Sequence, residues 1–195
     1  MTALLAADGL SAGYGDVSVI HDVDLTVDEG EIAVILGPNG AGKTTTMMAL
    51  CGELAPTAGR VRWKGAVTTS PLHRRAREGL ALITEERSVF MALTVAENLR
   101  VGRADRTALE RFPELVPLLD RKAGLLSGGE QQILTVARAL ARNPRAVLAD
   151  ELSLGLAPMV VRRLLGALRE AANRGIGVLI VEQHIHQALA IADKV

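Results

Sequence analysis

A glycine-rich segment has the spacing of a phosphate-binding loop. It matches the pattern G-x-x-x-x-G-K-[ST], and with one further threonine its members are Gly37, Pro38, Asn39, Gly40, Ala41, Gly42, Lys43, Thr44 and Thr45. Glycines let backbone N–H groups turn inward around a polyphosphate, and a following helix adds its positive end. We therefore predict that Lys43 contacts the β- and γ-phosphates and that the Thr44 hydroxyl binds Mg²⁺. An accidental match in a glycine-rich turn is the alternative, and the flanking strand and helix patterns argue against it.

Two adjacent acids end an aliphatic stretch later in the chain. Residues 146–149 are typical of a buried strand, and Asp150 and Glu151 follow directly. Beside a phosphate loop, Asp150 could hold Mg²⁺ through water, and Glu151 could orient and deprotonate an attacking water. A strand that simply ends in an acidic turn would show the same residues. The presence of the phosphate-loop pattern favours the catalytic interpretation.

A third motif lies between these two in the sequence. Ser127 and Glu130 have the spacing of a capping box, so the segment could be only the start of a helix. Because it lies between the other two motifs, the segment 126–131 resembles the signature sequence of the ABC ATPase family. The resemblance implies that two such domains pair head to tail. Each ATP then lies between one subunit's phosphate loop and the other's signature residues, which here would be Ser127, Gly128, Gly129 and Glu130.

The same resemblance assigns roles to further positions. Tyr14 is similar to the aromatic residue that stacks on adenine, although an ordinary loop tyrosine is the alternative. Glu85 stands where the family usually has a glutamine that contacts Mg²⁺ and senses the membrane partner, and a carboxylate can still bind the ion. Either Gln183 or His184 takes the place of the family's switch histidine, and we favour Gln183. A metal site at His184 and His186 lacks an evident third ligand.

Three local segments resemble the branched-chain amino acid importers, and are most similar to the second ATPase subunit of that system. They are residues 93–99, 153–158 and 181–183. The resemblance covers nearly the whole chain and implies an ATPase that binds ATP and Mg²⁺, pairs with a second ATPase subunit of the same or another kind, and drives membrane permease subunits without touching the cargo. The alternatives are another transport system, such as lipid or lipopolysaccharide export, and a degenerate module that binds nucleotide without hydrolysis.

Some positions depart from the family pattern. Leu152 replaces the usual proline after Glu151, and Ala157 stands where many relatives have an aspartate that crosses the dimer. The helical lobe is short, and the chain stops at Val195, soon after the switch position. These features lead us to expect a C-terminally truncated copy of the domain.

Composition and charge argue against several classes of function. The chain has 22 Lys plus Arg and 22 Asp plus Glu, and this zero net charge argues against a nucleic-acid partner. The stretch between Lys43 and Ser127 shows no sustained heptads, unlike the coiled coil of DNA-repair ABC ATPases. Cys51 is the single cysteine, and no apolar run reaches the length of a membrane span. We therefore predict a cytoplasmic protein, peripheral on the inner face of the cell membrane.

The element order predicts the fold class. Strand–loop–helix and strand–helix–strand patterns indicate an α/β P-loop NTPase of ABC type with a mostly parallel core sheet. Alternation over residues 23–27 predicts an N-terminal antiparallel flap. We expect a single domain over residues 1–195, with a small helical lobe and the signature within about 85–140. The basic run His73, Arg74, Arg75 and Arg77 is expected to form a solvated helix face.

Overall fold

The computed structural model describes residues 3–104, 106–183 and 188–195. Its first sheet contains the strands β1 (Leu5–Tyr14), β2 (Val17–Val27), β4 (Ala58–Trp63) and β5 (Ala66–Val67), and its second contains β3 (Ile32–Leu36), β6 (Leu80–Ile83), β7 (Ala146–Asp150) and β8 (Gly177–Glu182). The first sheet is antiparallel with the order β2-β1-β4-β5, and the second is parallel with the order β3-β8-β7-β6. The predicted parallel core sheet and N-terminal antiparallel flap are thus confirmed.

Helices pack against the parallel sheet. They are α1 (Lys43–Cys51), α2 (Leu72–Arg77), α3 (Val95–Val101), α4 (Arg106–Arg111), α5 (Gly128–Leu140) and α6 (Pro158–Asn173), with 3-10 turns at Pro113–Leu118 and Ala123–Leu125. The predicted capping box of Ser127 and Glu130 is present at the start of α5, and Thr94 and Glu97 form a second one at the start of α3. Pro158 is the first residue of α6, a position that suits proline because the amide there needs no partner within the helix.

The parallel sheet is buried on both faces. On β7, Val147 and Ala149 pack into an apolar cluster with α5 and α6, whereas Leu148 packs into a second cluster with α1 and β1. Strands covered on both sides need apolar residues at every position, which explains the continuous aliphatic runs in the sequence. The carboxyl ends of β3, β7 and β8 consequently meet at one edge, where the loops that follow them come together.

The prediction that the basic run forms a solvated face of α2 is wrong for Arg75. Arg75 is only 2% exposed, because its guanidinium turns inward and donates to the backbone oxygens of Ser70 and Leu50. Leu50 lies in the last turn of α1, where carbonyl groups have no partner within the helix. Burial lowers the pKa of the Arg75 guanidinium. Arg75 therefore fixes the end of the helix that begins at the phosphate loop.

Replacing Arg75 with alanine is expected to destabilise the protein by about 3 kcal/mol, because it removes buried hydrogen bonds and leaves a cavity. Thermal unfolding followed by circular dichroism measures the change. Arg74→Ala is the matched control, because Arg74 lies on the same helix and is exposed. Equal melting temperatures for the two variants would contradict the anchoring role of Arg75.

Candidate functional site

The phosphate loop connects the end of β3 to the start of α1. Gly42 precedes α1 with a φ of 88°, and a Cβ at this position would lie 2.5 Å from Cγ2 of Ile20. Only glycine accommodates both the left-handed backbone and this close approach. In the described part of the chain, no side chain caps the start of α1. The amide groups of its first turn can therefore bind an anion.

The Lys43 side chain lies inside this loop. Its Nζ donates to the backbone oxygens of Gly37 at 2.9 Å and Pro38 at 3.0 Å, and it lies 3.9 Å from Oε1 of Glu151. The side chain is 5% exposed, so its charge is largely shielded from water. The loop thus holds a positive charge where the phosphates of a nucleotide would enter.

Thr44 and Asp150, which are both expected to hold Mg²⁺, lie in contact. The Thr44 hydroxyl donates to Oδ2 of Asp150 at 3.0 Å. Burial raises the pKa of Asp150, and the hydrogen bond from Thr44 opposes that rise. The other carboxylate oxygen, Oδ1, is buried and has no hydrogen-bond partner among the described residues. A buried polar atom without a partner is unfavourable, and a cation at this point would satisfy it.

These oxygen atoms fit Mg²⁺. The ion prefers carboxylate and hydroxyl oxygens, and it usually keeps several waters and substrate phosphates among its ligands. Within the described ranges, no group of three or more His, Cys, Asp or Glu side chains could hold a metal ion. Thr44 and Asp150 would therefore supply only part of the coordination sphere, and the phosphates and water would supply the rest.

Glu151 follows directly at the end of β7. Its backbone has a φ of 45°, and its N–H donates to the oxygen of Val181 on β8 at 2.9 Å. The Gln183 side chain donates from Nε2 to Oε1 of Glu151 at 2.7 Å. The structure thus brings Gln183, the favoured switch residue, against the expected base. His184, the other switch candidate, lies outside the described residues.

A cavity of about 410 Å³ joins most of these groups. Its lining includes Asn39, Gly40, Gly42, Lys43, Thr44, Thr45, Glu85, Glu151, Leu154 and Gln183. Glu85, which is exposed, therefore shares the cavity with Thr44, whereas the buried Asp150 does not line it. Tyr14 does not line it and is 54% exposed at the end of β1. The structure leaves the expected adenine contact of Tyr14 untested.

The signature residues lie outside this cavity. Ser127 is exposed, and it caps α5 by accepting a hydrogen bond from the Glu130 amide at 3.3 Å. A Cβ at Gly128 would come within 3.0 Å of the Arg87 guanidinium, and one at Gly129 would lie 3.1 Å from Cγ2 of Val160. The two glycines therefore allow close packing at the start of α5. No sequence pattern indicates Arg87, because its contact with Gly128 spans distant parts of the chain.

The ABC transporter family model matches residues 20–153, which includes the phosphate loop, the signature and the paired acids. The chain belongs to the ABC transporter family. As an ABC cassette it is an ATP-binding subunit that hydrolyses ATP. Dimers of such cassettes and association with permeases are properties of the family. Among the residues that the structure describes, no helix is long and apolar enough to cross a membrane.

Similar proteins of known sequence support the assignment of the chain to the ABC transporter family. The chain is 38% identical to the high-affinity branched-chain amino acid transport ATP-binding protein BraG of Pseudomonas aeruginosa, over 98% of this chain and 87% of the relative. It is 35% identical to the probable branched-chain amino acid transport ATP-binding protein LivF of Archaeoglobus fulgidus, over 94% and 83%. It is also 35% identical to the lipopolysaccharide export system ATP-binding protein LptB of Haemophilus influenzae, over 98% and 85%.

Solved cassettes share the fold over almost the whole chain. The ADP conformation of MJ1267, an ATP-binding cassette of an ABC transporter, superposes with a TM-score of 0.89 at 26% identity, over 99% of this chain and 86% of that one. A nucleotide-free ATP-binding cassette from an ABC transporter gives a TM-score of 0.85 at 26% identity, over 98% and 86%. The predicted ABC-type α/β fold is confirmed.

Proposed function

We propose that this ABC ATPase powers the uptake of branched-chain or related amino acids, working on the inner face of the membrane through permease subunits. The cargo class rests on the 38% identity to BraG over 98% of the chain. The ATPase does not contact the cargo in this proposal. Its own site therefore carries the chemistry of ATP, and the permease carries the selectivity.

The observation that carries the hydrolytic chemistry is the Glu151 carboxylate, held by Gln183 beside Lys43. Lys43 binds the β- and γ-phosphates, and Thr44 and Asp150 would hold Mg²⁺. When bound, the ion would supply positive charge that neutralises the transferred phosphoryl group. Glu151 accepts a proton from the attacking water, and Gln183 fixes the orientation of that carboxylate.

Leu152 does not argue against hydrolysis. Its side chain is 1% exposed and packs into the apolar cluster formed with α5 and α6. The residue that replaces the family's proline thus anchors the segment after Glu151 in the core. A buried leucine here is compatible with a well-placed base.

The position of the signature supports closure by a second cassette. Ser127 and the start of α5 lie outside the cavity that contains Lys43, and Ser127 is exposed. In the proposed dimer, the partner's signature approaches the γ-phosphate, where a helix start and a hydroxyl can donate hydrogen bonds. A second copy of this chain or a sister ATPase would satisfy this geometry.

A groove that shares no lining residue with the nucleotide cavity suits a permease contact. It has a volume of about 380 Å³ and lies between α2, β6, the end of α3 and α5. Ser88 and Arg138 line it, and the Arg138 guanidinium donates to the Ser88 backbone oxygen. Ser88 follows Glu85 by three residues, so a segment docked in the groove is connected to the nucleotide cavity through this loop.

The cargo assignment is tested by uptake of radiolabelled leucine into cells that lack this chain. We expect uptake to be lost, to return with the wild-type chain, and to stay absent with Lys43→Ala. Lys122→Ala, which changes an exposed lysine, is the control and should restore uptake.

The similarity to LptB supports a second candidate function, lipopolysaccharide export, at 35% identity over 98% of the chain. Unchanged leucine uptake together with impaired lipopolysaccharide export in the same cells would favour this alternative over amino acid uptake. The ATPase chemistry at Glu151 would be the same in both.

A further inference from the structure

Besides Asp150, a second buried carboxylate lies next to the proposed site. Glu182 ends β8 and is 3% exposed. Its Oε1 accepts a hydrogen bond from the Ser153 amide at 3.0 Å, and its Oε2 accepts one from the Ser153 hydroxyl at 2.7 Å. An ionised carboxylate has only acceptors, so it matches a site that presents donors. Neither the proposed hydrolysis nor the parallel sheet requires an acid at this position.

Glu182 connects the two segments that carry the proposed base and its partner. Ser153 lies two residues after Glu151, and Gln183 lies one residue after Glu182. The Gln183 amide also donates to Oε2 of Glu182, at 3.3 Å. One buried side chain therefore holds the backbone on both sides of the hydrogen bond between Gln183 and Glu151.

The backbone of Glu151 needs such support. Its φ of 45° is unfavourable for a residue other than glycine, and such a conformation persists only where the surrounding structure fixes it. The Glu151 amide is fixed from one side by the Val181 oxygen at 2.9 Å. Glu182 fixes the chain from the other side, through Ser153.

We propose that Glu182 is a positioning residue for ATP hydrolysis, which holds the loop after Glu151 against the end of β8. This proposal rests on the role of Glu151 as the base in the proposed function. Glu182 does not line the cavity that contains Lys43, so it acts through Glu151 and Gln183 and not on the nucleotide.

The test is the steady-state kinetics of the full chain carrying Glu182→Gln. The variant keeps the side-chain shape, but one of the carboxylate's acceptor oxygens becomes a donor that faces N–H groups. We expect kcat to fall at least about tenfold, because small displacements of a reacting group are costly, while KM and ATP affinity change less than about twofold. Glu170→Gln on the exposed side of α6 is the matched control and should keep wild-type kcat.

Two further variants separate positioning from general damage to the fold. Ser153→Ala keeps the carboxylate and removes one donor, so kcat should fall less than in Glu182→Gln. The kcat of the double variant should lie within about twofold of that of Glu182→Gln, because both changes break the same link. Melting temperatures are measured for all three, and a loss of kcat that follows only the loss of folded protein overturns the proposal.

The sharpest comparison introduces Glu182→Gln into a chain that already carries Glu151→Gln. If Glu182 acts through Glu151, Glu182→Gln should cause no further loss once Glu151 has been replaced. The positioning role is overturned if Glu182→Gln lowers kcat by the same factor in the wild-type and Glu151→Gln chains. It is also overturned if Glu182→Gln alone leaves kcat unchanged. Near-normal turnover of Glu151→Gln itself overturns the base assignment of the proposed function, which is a separate and distinguishable failure.

Discussion

Replacing Glu151 with glutamine is expected to lower kcat for ATP hydrolysis by at least about 100-fold, since a positioned general base contributes on that order. The glutamine side chain keeps an oxygen that can accept the hydrogen bond from Gln183, which donates at 2.7 Å in the wild-type protein. The geometry of the site is thus preserved while the proton acceptor is removed. Phosphate release under saturating Mg·ATP measures the effect.

The same variant should still bind ATP, because Lys43 and the phosphate loop are unchanged. Its mass in solution, measured with and without Mg·ATP, tests the proposed closure with a second copy of the chain. A shift from monomer to dimer supports a sandwich between two copies. Binding without a shift points to a sister ATPase as the partner. Turnover within about threefold of wild type would exclude Glu151 as the base, because the expected loss is far larger.

Replacing Lys43 with alanine is expected to weaken ATP binding by about 100-fold or more. The change removes a buried cation, and charge-assisted hydrogen bonds to phosphate are among the strong ones. Lys43 Nζ now donates to the Gly37 and Pro38 oxygens, and a γ-phosphate offers it stronger acceptors. Titration with a fluorescent ATP analogue measures the dissociation constant directly.

Lys122→Ala serves as the control for Lys43→Ala, since Lys122 is exposed and does not line the nucleotide cavity. It should bind the analogue like wild type. Melting temperatures of both variants show whether the fold is intact. Wild-type affinity in Lys43→Ala would contradict the assignment of the loop as the phosphate site, whatever the turnover of the variant.

The two predictions separate binding from chemistry at one site. Lys43 Nζ and Glu151 Oε1 lie only 3.9 Å apart, yet we propose that the lysine acts on the phosphates and the glutamate on water. A nucleotide that draws Lys43 towards its phosphates would also weaken the contact of the lysine with Glu151. That change would leave the carboxylate free to act as a base while Gln183 continues to hold it.

The sequence determined the parts of this protein that depend on near neighbours along the chain. The phosphate-loop pattern, the capping box at Ser127 and the aliphatic strands β3 and β7 are local, because spacing and periodicity specify them. Their positions in the structure match the predictions closely. Strand β1 was not predicted, because its pairing with β2 shifts register near Gly9 and Gly13 and so obscures the alternation.

Only the tertiary structure decided which side chains meet across the chain. Arg75 looked like part of a solvated face, yet it is buried because unpaired carbonyl groups at the end of α1 lie beside it. Glu182, to which the sequence assigned no role, reaches Ser153, 29 residues earlier, because β7 and β8 are adjacent. Spacing along a sequence carries no record of such contacts, since they arise only when separate elements pack together.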